Sequence, residues 1–127
     1  MLQPRIVAAL GALLAALAVA GGAFGAHGLR ARLTPADLAT FETAVRYHLI
    51  HALALFAVAW VMDRWPGGTG PTAAVLMVLG IVIFSGSLYF LVLTGPRWLG
   101  AITPIGGVCL IAGWALLAWH LLTRAAP

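Results

Sequence analysis

Residues 6–26 read IVAALGALLAALAVAGGAFGA and carry no charged side chain. An α-helix rises about 1.5 Å per residue, so about 20 apolar residues cross the roughly 30 Å hydrocarbon core of a bilayer. Mostly apolar runs of similar length follow at residues 38–62, 73–93 and 104–122. Backbone amides in hydrocarbon find no water, so each run is expected to close its own hydrogen bonds as a helix. The sequence predicts an all-α membrane protein with a single transmembrane domain over residues 1–127, a four-transmembrane-helix bundle with a long second helix and short loops.

Composition supports the same conclusion and excludes one class of partner. The chain is 63% hydrophobic and 8% charged, whereas soluble domains are about 25% charged. The net charge is +4, but the seven arginines are scattered singly along the chain. Nucleic-acid binding needs clustered cations, so the predicted environment is the lipid bilayer and no nucleic acid is expected as a partner.

The first apolar run contains small residues at four-residue spacing, which predicts a helix-packing face. Ala12, Ala16 and Ala20 form this row, which continues with Gly21 and Gly25, and small residues let membrane helices approach closely. A cleaved signal peptide is the alternative, because Arg5 precedes the apolar stretch and small residues lie near its end. The length of the run and its row of small residues favour a retained helix.

The second helix has a defined start in the sequence. Thr34 supplies a hydroxyl cap, Pro35 suits the first helical position, and Asp37 follows three residues after the cap. No glycine or proline interrupts the chain from there to Trp65. One long helix is therefore expected, with its first turns in the membrane interface.

Charge alone does not orient the protein. The rule that cytoplasmic loops carry more arginine and lysine compares the two sides of the membrane. The loop arginines divide equally between the side of the termini and the opposite side: Arg5, Arg64 and Arg124 against Arg30, Arg32 and Arg97.

Several strings of the sequence carry a family resemblance. They are GAFGAHGL at residues 22–29, FETAVRYHLIHAL at 41–53, FSGSLY at 84–89, TPIGG at 103–107 and AGWAL at 112–116. Together they resemble the domain of unknown function 423 family, small membrane proteins that include transmembrane protein 256. The resemblance implies four spans, a retained first helix, a bacterial-type inner (plasma) membrane location and termini that face the cytoplasm. It implies no activity, because none is established for the family.

Polar side chains gather in the half of the predicted bundle that lies away from the termini. This candidate cluster, either a binding site or a structural network, comprises His27, Glu42, Arg46, Tyr47, His48, His51, Ser85, Ser87, Tyr89 and Thr103. Ionisable groups at membrane depth cost about 3 kcal/mol each, so they pair, face the bundle interior or serve a function. At the opposite end, His120 beside Trp119 is expected to be an interfacial residue.

Structural roles are favoured for most of these side chains. Glu42 and Arg46 lie four residues apart on one helical face, which predicts an ion pair, with a proton or substrate role as the alternative. His48 and His51 lie three apart on another face, and hydrogen bonds to Ser85, Ser87 or a backbone carbonyl would satisfy them.

A metal or haem site that joins His27, His48 and His51 is the weaker interpretation, because no acidic or cysteine ligand accompanies them. No metal, cofactor or catalytic residue is therefore expected. Ser85 and Ser87 lack a Gly-x-Ser-x-Gly string, so an enzyme is not favoured.

Two functions remain ahead of that metal or haem site. The first is a structural or accessory role, as an assembly partner in a larger membrane complex or as a homo-oligomer. The alternative is a small carrier or binding protein for a lipid, a quinone or an ion, which would use a polar pocket in one leaflet.

Overall fold

The computed structural model describes residues 2–124, and within this range four helices are long and apolar enough to cross a membrane. They are α1 (Pro4–Leu29), α2 (Pro35–Arg64), α3 (Gly70–Thr94) and α4 (Thr103–Arg124), the last preceded by a short 3-10 turn. The predicted fold class is confirmed: this is an all-α, multi-pass membrane protein with a long second helix.

The start of α2 follows the local sequence signal. The Thr34 hydroxyl oxygen accepts a hydrogen bond from the Asp37 amide at 3.1 Å, and Pro35 occupies the first turn. The helix then runs for 30 residues to Arg64 without interruption. At about 1.5 Å per residue it is about 45 Å long, which exceeds the thickness of the hydrocarbon core.

The packing face of α1 agrees with the predicted one at Gly25, which is buried, and differs from it along the row of alanines. The buried small residues are Gly11, Ala18 and Gly25, and a Cβ at Gly11 would lie 2.9 Å from the Ala52 carbonyl oxygen of α2. The predicted row is exposed instead: Ala12, Ala16 and Ala20. Residues that are seven apart in an α-helix lie about two turns apart on nearly the same face. Residues that are four apart are offset by about 40° at each step, so a row of them turns away from a neighbouring helix.

The helices pack in chain order. α1 lies along α2, α2 packs against α3, and α4 lies along α3, while α2 and α4 scarcely meet. Glycines bring α3 and α4 together, because a Cβ at Gly106 would clash with the Phe84 backbone and one at Gly113 would lie 2.8 Å from Met77 Cγ. The middle helices therefore form the centre of the molecule, with α1 and α4 on opposite flanks.

The hydrophobic core lies in the half of the bundle that contains the termini, here called the terminal half. Its buried members are Val7, Ala54, Leu55, Val58, Ala59, Val61, Met62, Ala73, Ala74, Met77 and Leu117. They belong to the beginning of α1 and α3 and to the end of α2 and α4. This half contains the hydrophobic core, and the predicted polar cluster lies mostly in the other half.

His120 lies at the loop end of the terminal half, and its predicted place near the membrane interface stays a prediction. Its side chain is completely buried. Nδ1 accepts a hydrogen bond from the Gly70 amide and Nε2 donates to the Trp65 carbonyl, each at 3.0 Å. The ring thereby fastens the α2–α3 loop to α4, a contact between distant residues that the local sequence around Trp119 does not reveal.

Candidate functional site

The half of the bundle away from the termini contains one close pair of polar side chains from different helices. His48 of α2 is 7% exposed, and its Nδ1 atom lies 3.2 Å from the Tyr89 hydroxyl of α3. The Tyr89 ring packs against Phe41, with 5.2 Å between the ring centroids. α2 and α3 together therefore hold the His48 ring in place.

The second ring nitrogen of His48 is unsatisfied. Among the buried side-chain nitrogens and oxygens of residues 2–124, Nε2 of His48 alone has no hydrogen-bond partner. The backbone of Leu14 in α1 comes close to the ring, but no contact of Nε2 meets hydrogen-bond geometry. Buried polar groups in folded proteins are nearly always paired, so this nitrogen calls for an explanation.

His48 and Tyr89 lie where two cavities meet. One cavity has a volume of about 420 Å³ and is lined by Leu14, Ile81 and Gly86 among others. The other, of about 350 Å³, is lined by Leu17, Gly21 and Phe24 among others. His48 and Tyr89 line both. The two cavities form a single groove between α1 and α3 with α2 as its floor, here called the lateral groove.

The lateral groove is apolar and open to lipid. Besides His48 and Tyr89, Ser87 is the other polar side chain in its lining, and no charged residue of the described chain lines it. Its rim carries exposed apolar side chains, among them Leu17, Phe90 and Leu93. A molecule dissolved in the bilayer would reach His48 from the side without crossing water.

The depth of the pair is set by its position along the helices. His48 lies close to the midpoint of α2 (Pro35–Arg64), and Leu14 and Leu17 lie close to the midpoint of α1 (Pro4–Leu29). Helices of this length extend beyond both faces of the hydrocarbon core. His48 is therefore near the middle of the bilayer, well away from the lipid headgroups.

A π-helical turn shapes the α3 wall of the groove. It covers Ile81–Ser85 in the middle of α3, and such turns occur often at functional sites. Ser85 donates to the Ala44 carbonyl of α2 at 2.8 Å. The next residue, Gly86, faces open space, since a Cβ there would meet nothing within 4 Å. Gly86 thus leaves room in the groove that any other residue would fill.

Ser87 and Thr103 link α3 to α4. Their hydroxyl oxygens are 2.7 Å apart, and Ser87 also donates to the Phe84 carbonyl at 3.0 Å. Both side chains are buried. Because both hydroxyls form these hydrogen bonds, they hold α3 and α4 together.

His51 and Tyr47 lie apart from His48. The His51 Nδ1–H donates to the Tyr47 carbonyl at 2.7 Å, and the His51 ring meets the edge of Trp114 with 6.0 Å between centroids. His27 is exposed at the end of α1. In residues 2–124 no three histidine, cysteine, aspartate or glutamate side chains lie together as a metal-binding group, so the structure does not bring His27, His48 and His51 to one site.

The predicted ion pair between Glu42 and Arg46 is wrong. Within the described chain the ion pair is Arg97 with Asp37 at 3.5 Å, and both Glu42 and Arg46 are exposed. A four-residue spacing permits a pair on a helix surface but does not enforce one. The two side chains instead line a crevice of about 170 Å³ beside the end of α1.

The groove walls are the part of the site that the sequence does not mark. Leu14, Leu17 and Phe41 are ordinary apolar residues in apolar helices, and nothing in their type separates a groove wall from a lipid-facing surface. Gly86 has a signal, since a glycine between Ser85 and Ser87 inside an apolar helix indicates close packing or open space.

Comparison with known proteins gives the family. The model of the protein of unknown function family DUF423 matches residues 21–107. The UPF0382 membrane protein YwdK of Bacillus subtilis is 49% identical over 114 residues, which is 89% of this chain and 93% of that protein. A UPF0382 membrane protein of Staphylococcus epidermidis is 44% identical over 119 residues, 89% of this chain and 92% of that one.

A more distant relative is named for its location. The UPF0382 inner membrane protein YgdD of Escherichia coli K12 is 40% identical over 99 residues, covering 78% of this chain and 76% of that protein. No solved structure matches the chain. The multi-pass, inner-membrane location predicted from the sequence is confirmed. This chain belongs to the DUF423 family of membrane proteins of unknown function.

Proposed function

We propose that this protein is a small membrane binding protein or carrier that holds a bilayer-dissolved molecule in the lateral groove. The observation that carries the proposal is the lateral groove itself, in which the His48–Tyr89 pair interrupts a lining that is otherwise almost entirely apolar. Binding sites for small molecules are mostly apolar with a few polar groups that fix the orientation of the ligand, and this pair is such a group.

The size and access of the groove support this function. Ligand sites in proteins occupy about 300–1,000 Å³, are mostly apolar and contain a few placed polar groups. The two cavities around His48, about 420 and 350 Å³, fall in this range. The groove opens toward lipid between α1 and α3, so a ligand would enter from within the membrane.

Photolabelling tests whether the groove is a binding site. The full-length protein, reconstituted in lipid nanodiscs, is exposed to a long-chain fatty alcohol with a diazirine in its alkyl chain, and labelled peptides are mapped by mass spectrometry. We expect labels on groove residues such as Leu14 and Phe90. Gly86→Leu should abolish this labelling, because its side chain enters open space in the groove without meeting the backbone.

A matched control fills a different cavity. Val75 lines a separate cavity of about 160 Å³ between α1 and α3 in the terminal half, so Val75→Phe should leave labelling of the lateral groove unchanged. Equal labelling of wild type, Gly86→Leu and Val75→Phe would mean that the probe only reports the lipid-facing surface, and the binding function would be rejected.

The exposed charges of α2 favour a second candidate, an assembly partner in a membrane complex. Glu42 and Arg46 project from a membrane helix beside a crevice lined by Gly22 and Ala26. Charges at membrane depth cost about 3 kcal/mol each on insertion scales. A helix from a partner protein with polar groups at the same depth would cover them and pack against the small residues.

Crosslinking in a mild detergent tests the assembly role. A crosslinked partner recovered in stoichiometric amount should be lost in the double variant Glu42→Gln, Arg46→Gln and kept in Asp63→Asn, which removes an exposed charge at the other end of α2. Recovery as a free monomer, or a partner that is insensitive to the double variant, would contradict it.

The proposed orientation places both termini in the cytoplasm, as the family resemblance implies. Four spans put the two termini on the same side. A fluorescent protein fused after residue 127 should fluoresce, and alkaline phosphatase at the same position should be inactive. The reverse pattern would overturn the orientation.

A further inference from the structure

We infer that the partner in the assembly is a second copy of this chain, whose α2 packs against α2 of the first copy in a symmetric dimer held by ion pairs between Glu42 and Arg46. This dimer rests on the assembly role proposed above and identifies its partner, and the lateral groove takes no part in it. Three features of α2 support the dimer: a face that no other helix of the described chain covers, the depth of the charges on that face, and their order along the helix.

One face of α2 is uncovered along most of its length, although α2 packs against both α1 and α3. Its residues Glu42, Arg46, Leu53, Ala57 and Trp60 are all exposed. At about 100° per residue they lie within about 60° of one another around the helix axis, and this stripe is here called the outer face of α2. Lipid tails suit the apolar part of such a face. The two charges are therefore the part that calls for a protein partner.

Arg46 lies inside the hydrocarbon core. About 16 Å of helix separates it from Pro35, out of a total of about 45 Å. An upright helix of this length exceeds the core by about 15 Å, so Arg46 is within the core even if the whole excess projects at this end. Glu42 lies one turn closer to the interface, and among residues 2–124 neither side chain forms an ion pair. Charges at this depth are expected to pair, so their partners must come from outside the chain.

The order of the two charges makes the outer face complementary to itself. Both copies are inserted in the same direction, so a symmetric dimer has its two-fold axis along the membrane normal and places equal residues at equal depth. Side chains lean toward the N-terminus of their helix, so Arg46 of one copy reaches toward the level of Glu42 in the other. The axis generates this ion pair twice. A different protein would need an acid and a base at the same two depths, which a second copy supplies by symmetry.

The surface beside the charges allows a second helix to approach. The crevice next to Glu42 and Arg46 is lined by Gly22, Gly25 and Ala26 of α1. Small residues are typical of close contacts between membrane helices. Nothing larger than these residues and the two charged side chains would hold the second copy away at this end of α2.

Cysteine crosslinking tests the interface in the full-length protein, reconstituted in liposomes at high dilution. Cys109, the one cysteine of the sequence, is first replaced by alanine. Leu53→Cys then places a thiol on the outer face, and Ile111→Cys places a control thiol on α4, where the side chain is 71% exposed. Oxidation by copper phenanthroline should convert most of the Leu53→Cys protein to a disulfide-linked dimer and little of the Ile111→Cys protein.

Charge reversal in the Leu53→Cys protein tests the ion pairs. Glu42→Arg places arginine opposite arginine and Arg46→Glu places glutamate opposite glutamate. Each should lower the yield of crosslinked dimer about tenfold or more, because like charges that face each other across an interface are strongly unfavourable. The double variant Glu42→Arg, Arg46→Glu should restore the yield, because the pairs then form in reverse order. Arg124→Glu, which reverses an exposed charge at the end of α4, is the control and should change nothing.

A mixture of the two single variants gives the sharpest test. With a different tag on each chain, Glu42→Arg and Arg46→Glu should crosslink to each other, although neither crosslinks to itself. One chain then carries both bases and the other both acids, so the ion pairs form between them. A mixed dimer also shows that both variants are folded.

The outcomes separate the dimer from the assembly role. If Leu53→Cys crosslinks no more than Ile111→Cys while another protein is recovered in stoichiometric amount, the assembly role stands and the dimer is overturned. If no protein of either kind is recovered, the assembly role itself is wrong. If each single reversal crosslinks to itself as strongly as the unreversed protein, Glu42 and Arg46 face lipid headgroups or water, and the dimer is overturned as well.

Discussion

Two buried histidines, one from each half of the bundle, differ in how many of their ring nitrogens form hydrogen bonds. In the terminal half, His120 is fully buried and both ring nitrogens have partners at 3.0 Å, the Gly70 amide and the Trp65 carbonyl. In the other half, here the groove half, His48 is 7% exposed and has one partner, Tyr89, while its Nε2 has none.

The surroundings of the two rings differ in the same way. His120 closes the half that holds the hydrophobic core, and the lateral groove opens beside His48. A histidine with both nitrogens satisfied stabilises the fold, whereas a buried nitrogen without a partner costs free energy. The pattern of partners therefore distinguishes a structural from a candidate functional histidine better than burial does.

The largest effect is expected from His120→Ala. The substitution leaves a cavity and removes the partners of the Gly70 amide and the Trp65 carbonyl, so we expect the free energy of unfolding to fall by about 3 kcal/mol. Unfolding by dodecyl sulfate in mixed micelles, followed by circular dichroism, measures this. His27→Ala serves as control, because His27 is exposed. A loss below about 1 kcal/mol would contradict the structural role of His120, because one unpaired buried polar group alone costs about that much.

A second bond in the terminal half should have a smaller effect. The Thr69 hydroxyl donates to the Leu116 carbonyl at 2.8 Å and ties the same α2–α3 loop to α4. Thr69→Val keeps the shape and removes this bond, so we expect a loss of about 1 kcal/mol in the same unfolding experiment. The double variant with His120→Ala should lose less than the sum of the two, because both side chains hold one loop. Strict additivity would show that they act independently.

Much of the fold follows from local sequence, and this explains which predictions hold. Each apolar run forms a helix across the membrane for a local reason, because its backbone amides find no water in hydrocarbon. The start of α2 depends on Thr34, Pro35 and Asp37, which are neighbours in the chain. The polar side chains of the groove half are likewise visible as residue types. None of these inferences requires knowledge of which helices touch.

The wrong predictions concern features that depend on contacts between helices. Ala12, Ala16 and Ala20 satisfy the small-residue pattern, yet Gly11 and Ala18 face α2, because the neighbour of a helix is set by the whole bundle. The bonds of His120 could not be predicted, because the loop that it contacts lies about fifty residues earlier in the chain. The pairing of His48 with Tyr89, and the groove beside it, depend in the same way on how α1 and α3 flank α2.

In the groove half, the bond between α2 and α3 should contribute little. Ser85 donates to the Ala44 carbonyl at 2.8 Å, and hydrogen bonds between membrane helices contribute about 0.6 kcal/mol on average. Ser85→Ala should therefore cost about this much in the dodecyl sulfate experiment. Thr43→Ala is the control, since the Thr43 hydroxyl bonds within its own helix. A cost comparable with that of His120→Ala would mean that the groove half is as firmly tied as the terminal half.

The smallest effect on stability is expected from His48→Phe, and it tests the comparison most directly. The variant loses the Tyr89 contact, but it also removes a buried nitrogen that has no partner. These terms oppose each other, so the free energy of unfolding should stay within about 0.5 kcal/mol of wild type. A loss as large as that of His120→Ala would indicate that Nε2 is satisfied in the membrane by the nearby Leu14 backbone. His48 would then be a second structural histidine.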